Sequence, residues 1–193
     1  LARPSFDYTT LFGKVQEILD NVRINGDKAL IKYTKEFDNV QLEAMEVTKE
    51  EIAEAAQLVS VDLKQAIEMS RRNIWKFHSE QQHEYNEIQT SPGVYCWQKA
   101  VPIEKIGLYI PGGTAPLFST VLMLGIPAQI AECKEVILCT PPNADGKVHP
   151  AVLYAAKIAG IHRIFKVGGT QAIGAMAYGT ETIPKVYKIF GPG

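Results

Sequence analysis

The chain has 193 residues, of which 46% are hydrophobic and 21% are charged, and these are ordinary values for a globular protein with a sizeable core. Its 20 Lys and Arg are balanced by 21 Asp and Glu, so composition offers no basic surface for nucleic acid. The longest strongly apolar segment, 117–130, is interrupted by Gly125 and Pro127 and is shorter than the about 20 residues that cross a bilayer, so we expect no membrane span.

The start of the chain lacks the features of a secretory leader. Residues 1–20 show no basic start followed by an apolar core. The cysteines Cys96, Cys133 and Cys139 are odd in number and lie in apolar contexts, which is typical of reduced structural thiols. We therefore expect a soluble protein of the cytoplasm.

The first part of the chain has the periodicity of amphipathic helices. Apolar residues recur at helical spacing in four segments, which are 10–24, 27–38, 49–59 and 61–77. We expect Asp27 to cap the second helix and Ser60 the fourth, and Thr48 with Glu51 forms the pattern of a capping box before the third. The sequence therefore predicts a mainly helical N-terminal portion over residues 1–103.

From residue 104 onward, short apolar strands alternate with helices. Strands are expected at 104–110, 135–140, 163–167 and 185–190, with a helix after each of the first three. Strands joined by crossover helices pair in parallel, so their C-terminal turns meet at one edge of the sheet, where open α/β sheets bind ligands. The sequence thus predicts an α/β domain with a parallel sheet over residues 104–193.

Glycine occurs in three of the four turns that follow these strands. The turns are Pro111-Gly112-Gly113, Thr140-Pro141-Pro142, Gly168-Gly169-Thr170 and Gly191-Pro192-Gly193. Glycine lets a ligand approach the backbone, and the first-turn N–H groups of a following helix favour an anion. Tight packing between turns would also require glycine. The pattern favours a phosphate or carboxylate ligand and leaves packing as the alternative.

The motif alone does not establish a dinucleotide site. No G-x-G-x-x-G follows the first strand, and Cys139-Thr140 stands where an acidic residue would end the second. A nucleotide- or phosphate-binding module without redox chemistry therefore stays an alternative to an enzyme, as does a purely structural fragment.

The histidines and cysteines show no pattern of metal ligands. There is no C-x-x-C or H-x-x-x-H, and His78 and His83, five positions apart, do not share a helix face. We expect structural roles for His149 and His162. Leu138 and Pro141 beside Cys139 indicate a buried thiol, and no histidine lies near it in sequence to activate it. We assign no metal ligand and no catalytic residue.

Three long motifs closely resemble the histidinol dehydrogenase family. They are Gly-Leu-Tyr-Ile-Pro-Gly-Gly-Thr-Ala-Pro-Leu-Phe-Ser-Thr-Val-Leu-Met-Leu at 107–124, Cys-Thr-Pro-Pro at 139–142 and Val-Gly-Gly-Thr-Gln-Ala-Ile at 167–173. The resemblance runs through the whole chain. It implies an NAD-dependent enzyme, homodimeric at full length and with zinc, that oxidises L-histidinol through histidinal to L-histidine in the last steps of histidine biosynthesis.

The resemblance implies that Tyr109 and Gln171 bind NAD, because they match cofactor-binding positions of the family. A third position, an Asn directly after the family's Gly-Pro-Gly, would follow Gly193. The family's zinc ligands, its Glu-His pair for proton transfer and its histidinol-binding residues lie further downstream. We therefore expect the amino-terminal half of such an enzyme, with an incomplete Rossmann-like NAD-binding domain truncated at its C-terminus and inactive alone.

Overall fold

The structure is a computed structural model that describes residues 9–82, 85–113 and 115–192. The first half of the described chain forms α1 (Thr9–Asn25), α2 (Asp27–Asp38), α3 (Lys49–Leu58) and α4 (Val61–Ser79), followed by a hairpin of β1 (Ile88–Ser91) and β2 (Val94–Cys96). The second half alternates as β3 (Lys105–Tyr109), α5 (Phe118–Ile130), β4 (Glu135–Cys139), α6 (Pro150–Ile158), β5 (Arg163–Phe165), α7 (Gly169–Tyr178) and β6 (Lys188–Phe190). The predicted α/β fold is confirmed.

Side-chain caps fix the starts of α3 and α4. Glu51 N donates to Thr48 Oγ1 at 3.1 Å, and Thr48 N donates to a Glu51 carboxylate oxygen at 2.8 Å, so the predicted capping box is present. Leu63 N donates to Ser60 Oγ at 3.3 Å, which confirms the cap of α4. These bonds satisfy N–H groups that have no partner within the helix.

The predicted cap at Asp27 is wrong. Gly26, with φ of 52°, occupies the capping position, and Asp27 is the first residue of α2. The Asp27 carboxylate instead accepts hydrogen bonds from the backbone N–H and the hydroxyl of Thr182, far along the chain. A tertiary contact has therefore replaced the local one that the sequence pattern favours.

The four strands β3 to β6 form one parallel sheet in the order β5-β4-β3-β6. Tyr109 pairs with Cys139 on one side of β3, and Leu108 pairs with Phe190 on the other. The chain runs outward from β3 through β4 to β5 and then returns to place β6 on the opposite side of β3. The order is that of one half of a Rossmann fold, and ligands of such sheets bind where the direction reverses, here beside β3.

Successive residues of β4 face opposite sides of the sheet, and helices cover both. Leu138 belongs to an apolar cluster with residues of α3, α4, α5 and α6, whereas Ile137 and Cys139 belong to a second cluster with α1, α2 and α7. The N-terminal helices therefore complete both layers of the core, and the boundary between residues 103 and 104 stays a prediction. None of the described helices is both long enough and apolar enough to cross a membrane.

Candidate functional site

The candidate site lies at the edge of the sheet where the strands β3, β4, β5 and β6 end. All neighbouring strand pairs are parallel, so the turns after them are brought together as predicted. Thr114, directly after the first turn, and Gly193, in the last turn, lie outside the described residues, as does His83.

Tyr109, the last residue of β3, is held by the turn that follows β5. Its phenolic oxygen accepts a hydrogen bond from the backbone N–H of Gly169 at 3.1 Å. Strands β3 and β5 flank β4 and are therefore about 9.5 Å apart, twice the spacing of neighbouring strands. The half-buried side chain of Tyr109 thus reaches past the end of β4 to the N-terminus of α7.

Gln171, in the first turn of α7, is only 1% exposed. Its amide oxygen is buried and has no hydrogen-bond partner in the part of the chain that the structure describes. A buried acceptor without a partner costs about 1 to 3 kcal/mol, so a donor from a ligand would be favourable here. The oxygen also lies beside Gly169, since a Cβ added at Gly169 would be 2.7 Å from it.

Gly169 therefore connects the two residues that the sequence analysis singled out. Its N–H contacts Tyr109 Oη, and its α-carbon adjoins the amide of Gln171. Its φ of 62° is in the left-handed region, which side chains with a Cβ rarely adopt. The structure thus places both Tyr109 and Gln171 against one glycine, at the start of a helix.

Packing between turns explains three other glycines at this edge. A Cβ added at Gly112 would lie 2.6 Å from Pro141 Cγ, and one added at Gly168 would lie 2.6 Å from Pro141 Cβ. A Cβ at Gly191 would lie 2.8 Å from the backbone oxygen of Tyr109. These contacts leave no room for a side chain, so the packing alternative accounts for glycine at these positions.

The thiol of Cys139 ends β4 beneath this edge and is completely buried. Burial raises its pKa to about 12, because the thiolate would be desolvated without a compensating charge. The thiol is therefore protonated at neutral pH and is unsuited to nucleophilic attack. The prediction of a buried structural cysteine is confirmed.

Histidine has a structural role at the start of α6. His149 is the N-cap residue, and its Nδ1 accepts a hydrogen bond from the N–H of Ala151 at 3.2 Å. Within residues 9–82, 85–113 and 115–192, no three His, Cys, Asp or Glu side chains converge as ligands of a metal ion would.

A half-buried ion pair lies just behind the turn after β5. Lys166 Nζ is 2.8 Å from a carboxylate oxygen of Glu51, and the two side chains are 10% and 22% exposed. Burial by itself raises the pKa of Glu51. The net shift is nevertheless downward, because the carboxylate accepts hydrogen bonds from Lys166 and Thr48 and lies near the positive charges of Lys166 and Lys147. The pair joins α3 to the residue that leads into Val167 and the glycine turn.

Sequence reasoning missed two contributors to this edge, Pro141 and the N–H of Gly169. The sequence contains the Pro141 turn, but its place between two glycine turns depends on the order of the strands, which the sequence pattern leaves open. The Gly169 bond had no sequence signal, since its acceptor is 60 positions away. A separate apolar groove of about 790 Å³, lined by residues of α5 and 100–103 among others, includes neither Tyr109 nor Gln171.

Comparisons with known proteins identify close relatives of the chain. The family model described as histidinol dehydrogenase matches residues 1–193. The histidinol dehydrogenase of Bacteroides thetaiotaomicron is 58% identical over 193 residues, which are 100% of this chain and 45% of that protein. The histidinol dehydrogenase of Escherichia coli (strain K12) is 48% identical over an aligned length of 194 residues, and the alignment covers 100% of this chain and 44% of that protein.

A solved structure agrees with these relatives. The crystal structure of histidinol dehydrogenase from Elizabethkingia anophelis superimposes with a TM-score of 0.93 at 53% sequence identity. The match covers 100% of this chain and 44% of the other. The chain thus spans less than half the length of the relatives that it matches.

Proposed function

The chain belongs to the histidinol dehydrogenase family, and from this premise we propose that it supplies an NAD-binding part of an enzyme that oxidises L-histidinol through histidinal to L-histidine. The family is one of oxidoreductases. The observation that carries the proposal is the convergence of Tyr109 and Gln171 on Gly169 at the carboxyl edge of a half-Rossmann sheet.

The polar groups at this edge fit NAD. Because Tyr109 Oη accepts a hydrogen bond from Gly169 N–H, the hydroxyl of Tyr109 is itself free to donate a hydrogen bond to a ligand. The amide oxygen of Gln171 is an acceptor without a partner. NAD offers hydroxyl donors and carbonyl and phosphate acceptors, and the start of α7 favours its negative charge. Tyr109 and Gln171 would therefore hold the cofactor, whose nicotinamide, when bound, accepts a hydride.

The remaining chemistry is assigned to other parts of the protein. Proton transfer, zinc binding and recognition of L-histidinol belong, by the resemblance to the family, to residues outside these 193. We therefore expect no NADH production from these 193 residues alone. By the same resemblance, the proposed active form is an intact homodimer in the cytoplasm.

The test uses the protein at the full length of its relatives. Titration calorimetry measures binding of NAD, and the absorbance of NADH measures its formation with L-histidinol as the substrate. Binding of NAD together with histidinol-dependent NADH formation would support the proposal. Binding of phosphate or a nucleotide without either result would refute it and favour the module without redox chemistry.

A further inference from the structure

We propose that Pro141 is a positioning residue that sets the distance between the turn carrying Gly112 and the turn carrying Gly168 and Gly169. The expected effect of Pro141 on NAD binding rests on the proposed function, because Tyr109 and Gln171 adjoin these turns. Its effect on the distance between the turns is independent of that function.

The topology of the sheet places Pro141 between the two turns. Strand β4 lies between β3 and β5, so the turn after β4 is flanked by the turns after its neighbours. The ring of Pro141 touches both, since a Cβ at Gly112 or at Gly168 would lie 2.6 Å from a ring carbon. The backbones of Gly112 and Gly168 therefore both lie directly against the ring of Pro141.

A hydrogen bond spans the same gap. Tyr109, which leads into the Gly112 turn, accepts the Gly169 N–H at 3.1 Å and so draws the turns together. The ring of Pro141 limits how closely they approach. Hydrogen bonds of this kind weaken as donor and acceptor move outside about 2.7 to 3.2 Å, so the width of the spacer decides whether the bond is kept.

Proline suits this role because its ring has no flexible side chain to move aside. Replacement by alanine removes Cγ and Cδ and leaves Cβ, which lies 3.6 Å from a Cβ at Gly112. The Gly112 side of the contact therefore opens, and the Gly112 turn is free to shift relative to Tyr109 and α7. A misplacement of about 1 Å in a binding site is enough to lower its performance strongly.

The contact at Gly112 allows a compensation test. Gly112 has no positive φ, so Gly112→Ala introduces a methyl group against the ring without backbone strain. In the double variant Gly112→Ala/Pro141→Ala, the new methyl group replaces the ring carbons that were removed. Each single change is expected to weaken NAD binding about fivefold, whereas the double variant is expected to bind within about twofold of the wild type.

Pro142→Ala is the matched control. It removes the same ring atoms from the next, buried residue, which is not among the nearest contacts of Gly112 or Gly168. Both substitutions are expected to lower stability to a similar extent, because removal of a proline ring raises the conformational entropy of the unfolded chain. Of the two proline variants, only Pro141→Ala is expected to raise the dissociation constant for NAD. A merely structural role of Pro141 would lower the melting temperature and leave the dissociation constant unchanged.

A second measurement needs no NAD. Hydrogen exchange of the Gly169 amide, followed by NMR in the full-length protein, reports the bond to Tyr109 directly, with Tyr109→Phe as the reference for its loss. Pro141→Ala and Gly112→Ala are expected to speed this exchange about fivefold, and the double variant and Pro142→Ala to leave it near the wild-type rate. If Pro141→Ala does not fold, the exchange rates of the Gly169 amide in Gly112→Ala and in the double variant test the role of Pro141.

The outcomes are distinct for the two proposals. A wild-type protein that binds no NAD refutes the proposed function, while the exchange of the Gly169 amide still tests the spacer. Equal exchange in Pro141→Ala and Pro142→Ala, or effects of the two single changes that multiply in the double variant, would overturn the role of Pro141 even if NAD binds normally.

Discussion

The hydroxyl of Tyr109 accepts a hydrogen bond from the backbone N–H of Gly169 at 3.1 Å, although the two residues are 60 positions apart. The bond satisfies an N–H of the first turn of α7, which has no partner within its helix. It also leaves the hydroxyl proton of Tyr109 available to a ligand. The end of β3 and the start of α7 therefore form one polar corner, with the buried amide of Gln171 beside it.

The first prediction separates the hydroxyl of Tyr109 from its ring. Tyr109→Phe keeps the ring and removes the hydroxyl, which accepts a hydrogen bond from Gly169 N–H and is available to donate one to NAD, so we expect the Michaelis constant for NAD in the full-length enzyme to rise about threefold to fivefold. Tyr109→Ala removes both and is expected to raise it about tenfold, or about 1.4 kcal/mol. Steady-state kinetics with varied NAD measure both effects.

Tyr95→Phe serves as the control for Tyr109. Tyr95 is 54% exposed in the hairpin of β1 and β2, so its hydroxyl is expected to have no influence on NAD. Unchanged NAD kinetics in both Tyr109 variants, with the fold intact, would contradict the proposed cofactor role of Tyr109.

The second prediction concerns the unpartnered amide of Gln171. Gln171→Met keeps the length of the side chain and removes a buried polar group that has no partner, so stability is expected to stay equal or to rise by up to about 1 kcal/mol. NAD binding is expected to weaken about tenfold because the acceptor is lost. Urea denaturation and NAD titration measure the two quantities separately.

Gln57→Met is the matched control for Gln171. Gln57 is exposed on α3, so neither stability nor NAD affinity is expected to change by more than a few tenths of a kcal/mol. A Gln171→Met variant that is strongly destabilised and still binds NAD normally would show that the amide serves the fold.

The sequence predicts the order of helices and strands because each element carries a local signal. The capping box of Thr48 and Glu51 is contained within four residues, and the structure confirms it. Pro150 at the first position of α6 is a local signal of the same kind. Periodicity does not decide which apolar positions find a neighbour. Phe77, an apolar residue of the predicted helical segment 61–77, is 66% exposed.

The candidate site is only partly readable from sequence for the same reason. Parallel strands determine that their turns meet, and this places Tyr109 and Gln171 at one edge. The bond to Gly169 and the contacts of Pro141 depend on which strands are neighbours, and several sheet orders are compatible with the sequence pattern. Whether Tyr109 and Gln171 bind NAD stays a prediction.

The third prediction uses the ion pair between Glu51 and Lys166. Glu51→Gln keeps an acceptor for the capping box and removes the charge beside Lys166, whose side chain is 10% exposed. An ammonium group that loses its charged partner in a half-buried place is expected to cost about 1 to 3 kcal/mol of unfolding free energy. Urea denaturation at neutral pH measures this loss.

The same pair predicts a dependence on pH with a definite sign. The pKa of Glu51 is lowered in the folded protein, so the pair contributes fully above the ordinary pKa of glutamate and its contribution is lost as the pH falls through the lower folded value. The difference in stability between wild type and Glu51→Gln should therefore shrink below about pH 4.5. Glu50→Gln, an exposed change in the same helical turn, should show no such convergence.

The fourth prediction concerns Cys139. Its thiol is completely buried, and this burial raises the pKa of the thiol to about 12. At neutral pH almost none of this thiol is ionised, so alkylation of the native protein by iodoacetamide is expected to modify the exposed Cys96 and to leave Cys139 unmodified until the protein unfolds. Mass spectrometry of the digested protein locates the modified residue.

Because an inert thiol does not act on a substrate, Cys139→Ala is expected to keep kcat of the full-length enzyme within about twofold while lowering stability by about 1 kcal/mol through the lost packing. Rapid modification of Cys139 in the folded protein, or a loss of kcat far beyond the loss of stability, would reverse this conclusion and make the end of β4 a candidate for covalent chemistry.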